Sequence, residues 1–291
     1  MRSITVSCPA KVNLYLRVLK KRPDGYHDLC TLFHRISLAD SLTLHKQAQG
    51  FNLTCDRKGL PVDERNLVTR AYFLLKERCP GLGGIRAVLR KKIPLGAGLG
   101  GGSSDAASFL LAANRLYGLR LSRKALVAIG KKLGADVPFF LYDTPQAVAW
   151  GRGDVIHPEP VPGRFYMLLI LSNKGVSTKE VFCSRKLKPG RVTLTKASRE
   201  VKMLSHFFRR KSYQKIADFL QNDLEIPAFD LRPEIGRKIK ALKKSGYSLA
   251  RMSGSGPTVF ILFSSLKELN HHRVRVRRLF PSACLQAAHT L

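Results

Sequence analysis

Acidic residues are scarce in this chain of 291 residues, since 20 aspartates and glutamates stand against 51 lysines and arginines. The formal net charge is therefore +31 at pH 7 with histidine neutral. Such an excess favours anionic partners, and nucleic acid is the first of these to consider. The stretches richest in basic residues, however, are spread through the second half of the chain, and no familiar nucleic-acid motif is present. A solvated basic surface is the favoured interpretation, and a nucleic-acid-binding protein is the alternative from another functional class.

The chain also lacks paired cysteines and long apolar segments. Its six cysteines contain no C-x-x-C pair, which excludes the usual spacing of a zinc ribbon. We expect reduced and mostly buried thiols. No apolar run approaches the length of a membrane span, and residues 1–6 lack the apolar core of a signal peptide. These absences lead us to expect a cytoplasmic protein with no membrane partner.

Hydrophobic residues make up 44% of the chain, which is enough for a sizeable core. Strand-like and helix-like segments follow one another in an irregular order, and this indicates an α+β fold with two lobes. We expect a first lobe over residues 1–155 and a second over residues 156–291, with the last strand a candidate to pack back on the first lobe. Turn signals in residues 151–154 and 158–162 mark the expected boundary.

The most informative segment is rich in glycine and lies between a predicted strand and a predicted helix. Five glycines fall between Gly96 and Gly102, and the strand-like residues 84–93 precede them. Glycine lets backbone N–H groups approach a ligand closely, and the start of a helix adds unpaired N–H donors. With Ser103 or Ser104 as the predicted N-cap, the segment predicts a phosphate-binding site.

Three known nucleotide motifs fit this segment poorly. A P-loop needs a lysine after its last glycine, but Ser103 and Ser104 follow Gly102. The protein-kinase motifs do not occur in their required order. The dinucleotide pattern G-x-G-x-x-G is present, yet no acidic residue ends a second strand about 20 residues further on to hold a ribose. A dinucleotide is therefore only a distant alternative.

Three further segments contain residues that could carry chemistry. Lys11 and Asn13 lie two apart in a predicted strand and share one face, although exposed polar residues would give the same pattern. Asp136 lies beside apolar aromatic residues, where a carboxylate needs a partner; Lys11 could be that partner, and a helix cap is the alternative. Tyr26 and His27 follow a Pro-Asp-Gly turn, and they could bind a planar base or simply flank a hairpin.

Taken in order, these segments resemble the GHMP kinase superfamily, which includes galactokinase, homoserine kinase and mevalonate kinase. Residues 9–14 are similar to its first motif, residues 94–107 to its second, the ATP phosphate loop, and residues 250–260 to its third, a glycine loop. The segments that narrow the resemblance to members with a cytidylyl substrate are residues 22–29, 134–140 and 222–225. The likeness covers nearly the whole chain.

The resemblance implies a nucleotide lobe like the ribosomal S5 domain 2 and a ferredoxin-like second lobe, with the active site in the cleft between them. It implies ATP-dependent phosphorylation of the 2-hydroxyl of 4-diphosphocytidyl-2-C-methyl-D-erythritol, on the non-mevalonate route to isoprenoid precursors, with ATP and Mg²⁺ as cofactors. Homoserine or another small alcohol is the alternative acceptor within the superfamily, although homoserine offers no ring for Tyr26 and His27.

The resemblance also assigns roles to individual residues. Lys11 and Asp136 match the catalytic pair, and Asp136 is expected to accept the proton of the acceptor hydroxyl. The residues matched to the nucleotide are Asn66 near the adenosine and, along the triphosphate, Pro94, Gly96, Gly98, Gly100, Gly101, Gly102, Ser103 and Ser104. The residues matched to the substrate are Asn13, Tyr26, His27 and Phe182.

Asp105 does not fit simply beside this loop, because a carboxylate repels a triphosphate. Its place in the first helical turn leads us to expect that it complements the helix dipole and faces away from the ligand. A contact with a metal ion is the alternative for Asp105.

Overall fold

The computed structural model of the protein describes residues 2–160, 163–172, 174–190 and 192–291. The strands are β1 (Ser3–Lys21), β2 (His27–Gln47), β3 (Phe51–Cys55), β4 (Gly84–Arg90), β5 (Gln146–Gly151), β6 (Val155–Pro158), β7 (Tyr166–Leu171), β8 (Gln221–Asn222), β9 (Ala250–Met252), β10 (Val259–Phe263) and β11 (Cys284–His289). The helices are α1 (Leu67–Arg78), α2 (Gly101–Tyr117), α3 (Arg123–Leu133), α4 (Val137–Leu141), α5 (Thr178–Cys183), α6 (Leu194–Arg209), α7 (Tyr213–Phe219), α8 (Glu225–Leu231), α9 (Pro233–Lys244) and α10 (Leu266–Leu279). The predicted α+β class is confirmed.

The strands form two sheets, and the chain divides into two compact units. One sheet has the order β3-β4-β2-β1-β8, with β5 beside β2 and β6 beside β5, and the other has the order β11-β7-β10-β9. The first unit contains Met1–Ala10, Leu38–Ile93 and Gly100–Asp143, and the second contains Lys11–Ser37, Pro94–Leu99 and Thr144–Leu291. The predicted lobe boundary at residue 155 stays a prediction.

The first unit is built on β3, β4 and the end of β2, with helices α1 to α4. β4 pairs in parallel with β3 and antiparallel with the part of β2 from Ser41 to Gln47. Along β4, buried Ile85, Ala87 and Leu89 alternate with more exposed residues, as expected for a strand with one face on a core. Asn66 and Ser122 accept hydrogen bonds from the first turns of α1 and α3, so polar side chains mark where both helices begin.

The second unit contains the four-stranded sheet and most of the basic helices. β7 pairs antiparallel with both β10 and β11, and β10 pairs antiparallel with β9. Helix α9 buries the apolar stripe of Ile235, Ile239 and Leu242 in the core of this unit. Its lysines at 240, 243 and 244 are exposed, so this amphipathic helix contributes to a solvated basic surface.

Two local predictions are wrong. The N-cap of α2 is Gly100, with φ of 69°, and not Ser103 or Ser104. All six cysteines are free as expected, but only two are buried.

The two boundary signals stay untested. Residues 151–154 contain the tight turn between β5 and β6. Val161 and Pro162 of the other signal lie outside the described residues.

Within the described ranges, no helix combines the length and the apolar character that a membrane span requires.

Candidate active site

Strand β1 places Lys11 and Asn13 side by side in the interior of the second unit. The Lys11 Nζ atom donates to Asn13 Oδ1 at 2.7 Å, and Asn13 Nδ2 donates to Thr31 Oγ1 at 2.8 Å. The Lys11 ammonium also lies 5.0 Å from the centroid of the Phe33 ring. Lys11 and Asn13 are only 4% and 3% exposed, so the interpretation as exposed strand residues is wrong. A buried ammonium held in one orientation is suited to a reaction that develops negative charge.

The phosphate loop alternates glycines of positive φ with buried apolar residues. Gly96, Gly98 and Gly100 have φ values of 60°, 74° and 69°. Between them, Ala97 and Leu99 are 3% and 1% exposed. Backbone that alternates in this way can form a concave row of N–H groups, a known anion-binding arrangement. The apolar side chains anchor the loop, and the glycines allow its conformation.

The carbonyl groups of this loop bond to other parts of the second unit. Leu99 O accepts from the backbone N–H of Lys11 at 2.9 Å, and Gly98 O accepts from Ser253 Oγ at 3.0 Å. Ala97 O accepts from the backbone N–H of Thr258 at 3.4 Å. The loop is therefore tied to the strand that carries Lys11 and to the third motif.

Glycine is required where the second and third motifs meet. A Cβ atom at Gly98 would lie 2.3 Å from the carbonyl oxygen of Ser253. A Cβ atom at Gly254, whose φ is +56°, would lie 3.2 Å from Asn13 Oδ1 and 3.5 Å from Lys11 Nζ. All three motifs thus converge on the Lys11–Asn13 pair within one compact unit.

Helix α2 begins inside the glycine run. The backbone N–H of Ser104 donates to Gly100 O at 2.9 Å, so the N–H groups of Gly101, Gly102 and Ser103 lie in the first turn, which has no intrahelical acceptors. Ser104 is fully buried, and its Oγ has no hydrogen-bond partner among the residues that the structure describes. The orphaned hydroxyl and the unpaired amides fit an anionic ligand at this helix end.

Asp105 belongs to a buried ion cluster in the first unit. Its Oδ2 accepts from Lys91 Nζ at 2.6 Å, and Lys91 also forms an ion pair with Asp40. Asp40 Oδ1 accepts the backbone N–H groups of Lys92 and Ile93 at 2.6 and 2.8 Å. Burial, together with the nearby Asp40 charge, raises the pKa of Asp105 to about 7 against the lowering effect of Lys91.

This cluster bears on both hypotheses for Asp105. The carboxylate is bonded to Lys91, and the contact of Asp105 with a metal ion stays a prediction. The cluster therefore favours a structural role for Asp105 at the start of α2.

An aromatic group lies at the hairpin between β1 and β2. The rings of His27 and Phe182 are stacked, with centroids 5.6 Å apart and planes at 26°. Burial, and then the charge of Lys21, lowers the pKa of His27, which favours a neutral imidazole. Tyr26 is 57% exposed, with the Arg152 guanidinium 5.0 Å from its ring centroid. These rings could receive a planar base.

Asp136 and Asn66 lie in the first unit. Asp136 precedes α4 and makes no side-chain capping bond to that helix, so capping does not explain it. Asn66 caps α1, with Oδ1 accepting from Val68 N at 2.9 Å and Nδ2 donating to Pro61 O at 2.7 Å. The pairing of Asp136 with Lys11 and the adenosine contact of Asn66 stay predictions.

The sequence interpretation missed Thr31 and Phe33, which contact the Lys11–Asn13 pair. They lie two residues apart on β2 and therefore on one face of that strand. This two-residue spacing was the signal in the sequence that could have identified them as a pair. The possible hairpin at the Pro-Asp-Gly turn would bring these two strands together, but no local pattern gave the register that places Thr31 beside Asn13.

Comparison with known proteins places the chain in a family. The family model described as the GHMP kinases N terminal domain matches residues 66–144, and that described as GHMP kinases C terminal matches residues 204–282. A 4-diphosphocytidyl-2-C-methyl-D-erythritol kinase of Geobacter metallireducens is 40% identical over 269 residues, which cover 92% of each chain. The enzyme of the same name from Syntrophus aciditrophicus is 42% identical over 266 residues, or 90% of each chain.

Solved structures agree with this assignment. The crystal structure of a 4-(cytidine 5'-diphospho)-2C-methyl-D-erythritol kinase superposes with a TM-score of 0.80 at 34% identity and covers 99% of each chain. A homoserine kinase from Cytophaga hutchinsonii has a TM-score of 0.76 at 23% identity, with 100% of this chain and 95% of that chain covered, which shows a shared fold. The chain belongs to the 4-diphosphocytidyl-2-C-methyl-D-erythritol kinase family of GHMP kinases.

Proposed function

We propose that this chain transfers the γ-phosphoryl group of ATP to the 2-hydroxyl of 4-diphosphocytidyl-2-C-methyl-D-erythritol. The observation that carries the proposal is the convergence of three motifs in the second unit, where Gly254 lies against Lys11 and Asn13 on one side and against the Gly98 carbonyl oxygen on the other. The names of relatives that cover about nine-tenths of the chain support the choice of substrate. The reaction would be one step on the non-mevalonate route to isoprenoid precursors.

The aromatic group supports a cytidylyl substrate over a smaller alcohol. A neutral His27, stacked on Phe182, could exchange hydrogen bonds with the edge of a cytosine ring. Tyr26 exposes its ring to solvent, and a base could stack on it. Homoserine has no ring, so it would leave this group unused.

The phosphate loop supports ATP as the donor. The alternating glycines and the first turn of α2 would offer backbone N–H groups to the phosphate oxygens, and the positive end of the helix dipole would favour their charge. Mg²⁺ would travel with the triphosphate, held mainly by phosphate oxygens and water, and would offset charge on the transferred group. Ser104 Oγ is the candidate protein oxygen for this ligand set.

Lys11 and Asp136 would carry the chemical step. A carboxylate is too weak a base to ionise an alcohol beforehand. In a loose phosphoryl-transfer transition state the proton can leave late, so the position of the Asp136 carboxylate matters more than its basicity. Lys11 would orient the hydroxyl and stabilise negative charge on the γ-phosphoryl group.

An acceptor panel tests the proposal. The purified chain is incubated with ATP, Mg²⁺ and 4-diphosphocytidyl-2-C-methyl-D-erythritol, homoserine or mevalonate, and the products are identified by ³¹P NMR and mass spectrometry. We expect phosphorylation of the cytidylyl alcohol at its 2-hydroxyl, with inhibition by free cytidine nucleotides. Preferred phosphorylation of homoserine, or no transfer to any alcohol, would contradict the proposal.

A further inference from the structure

The segment from Asn222 to Glu225 has no role in the reaction described above, although it helps to distinguish the family. Its first residue, Asn222, ends the two-residue strand β8, in which Gln221 and Asn222 pair with Tyr15 and Leu16 of β1. The Asp223 carboxylate accepts the backbone N–H of Val18 at 2.9 Å, and it also accepts from Arg17 Nη1 at 2.9 Å. One side of the segment is therefore fastened to β1, the strand that carries Lys11 and Asn13.

The other side of the segment holds the third glycine loop. Asn222 Nδ2 donates to the carbonyl oxygens of Met252 at 2.9 Å and Gly254 at 2.8 Å, while Asn222 Oδ1 accepts from the backbone N–H of Leu224 at 3.0 Å. Glu225 Oε1 accepts the backbone N–H of Met252 at 2.9 Å. One buried amide thus binds two carbonyls that are two residues apart and closes the turn between them.

Gly254, the end point of this tether, lies directly against the Lys11–Asn13 pair. The position of its Cβ would be 3.2 Å from Asn13 Oδ1 and 3.5 Å from Lys11 Nζ. We propose that Asn222 is a positioning residue, which with Glu225 locks the Met252–Gly254 turn and thereby fixes where the Lys11 ammonium lies. This inference deepens the proposed function and rests on it.

The physical reason is that a lysine side chain is long and flexible. Lys11 has a four-carbon stem and three rotatable donors, so its ammonium holds one position only if its surroundings leave no other space. Gly254 closes one side of that space, and its left-handed backbone leaves it few alternative positions once Asn222 binds its carbonyl. A misplacement of about 1 Å at a reacting group can cost about 100-fold in rate.

The test replaces the amide by its closest carboxylate analogue. Asn222→Asp keeps the acceptor for Leu224 but removes both donors and points an oxygen at two carbonyls. We expect kcat to fall by about 10- to 100-fold, while KM for the cytidylyl alcohol changes less than about threefold, because the hydrogen bonds of Asn222 go to Met252, Gly254 and Leu224 and not to the rings proposed to bind the base. The Asn222→Ser variant retains one donor, so its kcat should lie between those of the wild type and Asn222→Asp. This variant replaces Asn222→Asp in the test if Asn222→Asp does not fold.

Asn114→Asp is the matched control. Asn114 also tethers a loop through its amide, with Nδ2 donating to Leu121 O at 3.1 Å and Oδ1 accepting from Leu121 N at 3.0 Å, but it lies near the far end of α2. We expect Asn114→Asp to lower Tm and leave kcat within about twofold. If both variants lose kcat in proportion to their loss of Tm, Asn222 has only a structural role and the inference is wrong.

A double-mutant comparison tests whether Asn222 acts through Lys11. In the Lys11→Ala background, Asn222→Asp should change the remaining turnover by less than about threefold, because effects that pass through one group do not add. A loss as large as in the wild-type background would overturn the inference. An active wild type with an unaffected Asn222→Asp variant contradicts only this inference, whereas an inactive wild type contradicts the proposed function.

Discussion

At the scale of single residues, the proposed reaction depends most on the carboxylate of Asp136. This carboxylate is not used to cap the helix that follows it. We expect Asp136→Asn to lower kcat by about 10²- to 10⁴-fold, because the acceptor proton would lose its destination, while folding and ATP affinity are retained. Steady-state kinetics and calorimetric titration with ATP measure the two quantities.

The control for this variant is Asp143→Asn. Asp143 is an exposed carboxylate seven residues further along the chain, and its replacement should leave kcat within about twofold. Near-normal turnover in Asp136→Asn would remove this residue from the mechanism.

His34 gives the stability of the protein a pH dependence. The side chain is fully buried, its Nδ1 lies 3.0 Å from Arg35 O, and no described residue bonds its Nε2. Burial lowers the pKa of His34 to about 4, from an unfolded value of about 6.5. Because protons bind the unfolded chain more readily, the stabilisation is complete above about pH 6.5 and is lost as the pH falls toward 4.

The expected size of this effect is about 3 kcal/mol in the free energy of unfolding, since each pKa unit corresponds to about 1.4 kcal/mol. Urea unfolding between about pH 7.5 and pH 4 measures it, and His34→Leu should weaken the acid dependence by that amount. An unchanged pH dependence in His34→Leu would show that this histidine is not the group responsible.

The residue scale also shows a limit of the sequence. Two-residue spacing was enough to place Lys11 and Asn13 on one face of a strand. It was not enough to show that this face is buried, because burial depends on Thr31 and Phe33 in the next strand. Cys183 and Cys284 illustrate the same limit, since the expectation of buried thiols failed for these exposed residues.

At the scale of elements, a buried ion cluster joins three parts of the first unit. Lys91 follows β4, Asp40 lies in β2 and Asp105 lies in the first turns of α2. The Lys91 side chain is only 1% exposed, so its charge is compensated by the two carboxylates rather than by water. The cluster holds the start of α2 against the ends of two strands.

We expect Lys91→Met to lower the free energy of unfolding by about 3–5 kcal/mol, because the change leaves two buried carboxylates without their cation. Denaturant unfolding followed by circular dichroism measures the loss. Lys92→Met, at the exposed neighbouring position, should change stability by less than about 0.5 kcal/mol. Equal losses in the two variants would contradict the structural role of the cluster.

The glycine-rich segment shows what can be predicted at the element scale. Its flanking strand and helix are both confirmed, because each has a strong local pattern. The predicted serine cap failed because glycine at position 100 adopts a left-handed conformation and lets the helix begin within the glycine run. A capping preference is a weak signal when the backbone itself is this permissive.

At the scale of the whole molecule, the net charge of +31 should act on every anionic substrate. Between about 0.03 and 0.3 M salt, we expect KM for ATP and for the cytidylyl alcohol to rise about threefold or more, while kcat changes less than twofold. Screening weakens the attraction of substrates but barely alters interactions in a buried site. Initial rates in potassium acetate series measure both constants.

A second salt titration distinguishes the enzyme from the nucleic-acid-binding alternative. In a filter-binding assay with DNA and RNA, we expect only weak retention that disappears at moderate salt. Tight binding, with a slope of several in a plot of log affinity against log salt concentration, would instead indicate that the basic surface binds nucleic acid.

The sequence by itself determined the fold class, the strand and helix that flank the glycine-rich segment, and the family, because strand period, helix patterns and short motifs are local patterns. Only the tertiary structure decided that Gly98, Gly254 and the Lys11–Asn13 pair adjoin one another, and that Asn222 tethers the loop between them. These residues are separated by up to about 240 positions, and packing of distant backbone segments leaves no local signature in any one of them.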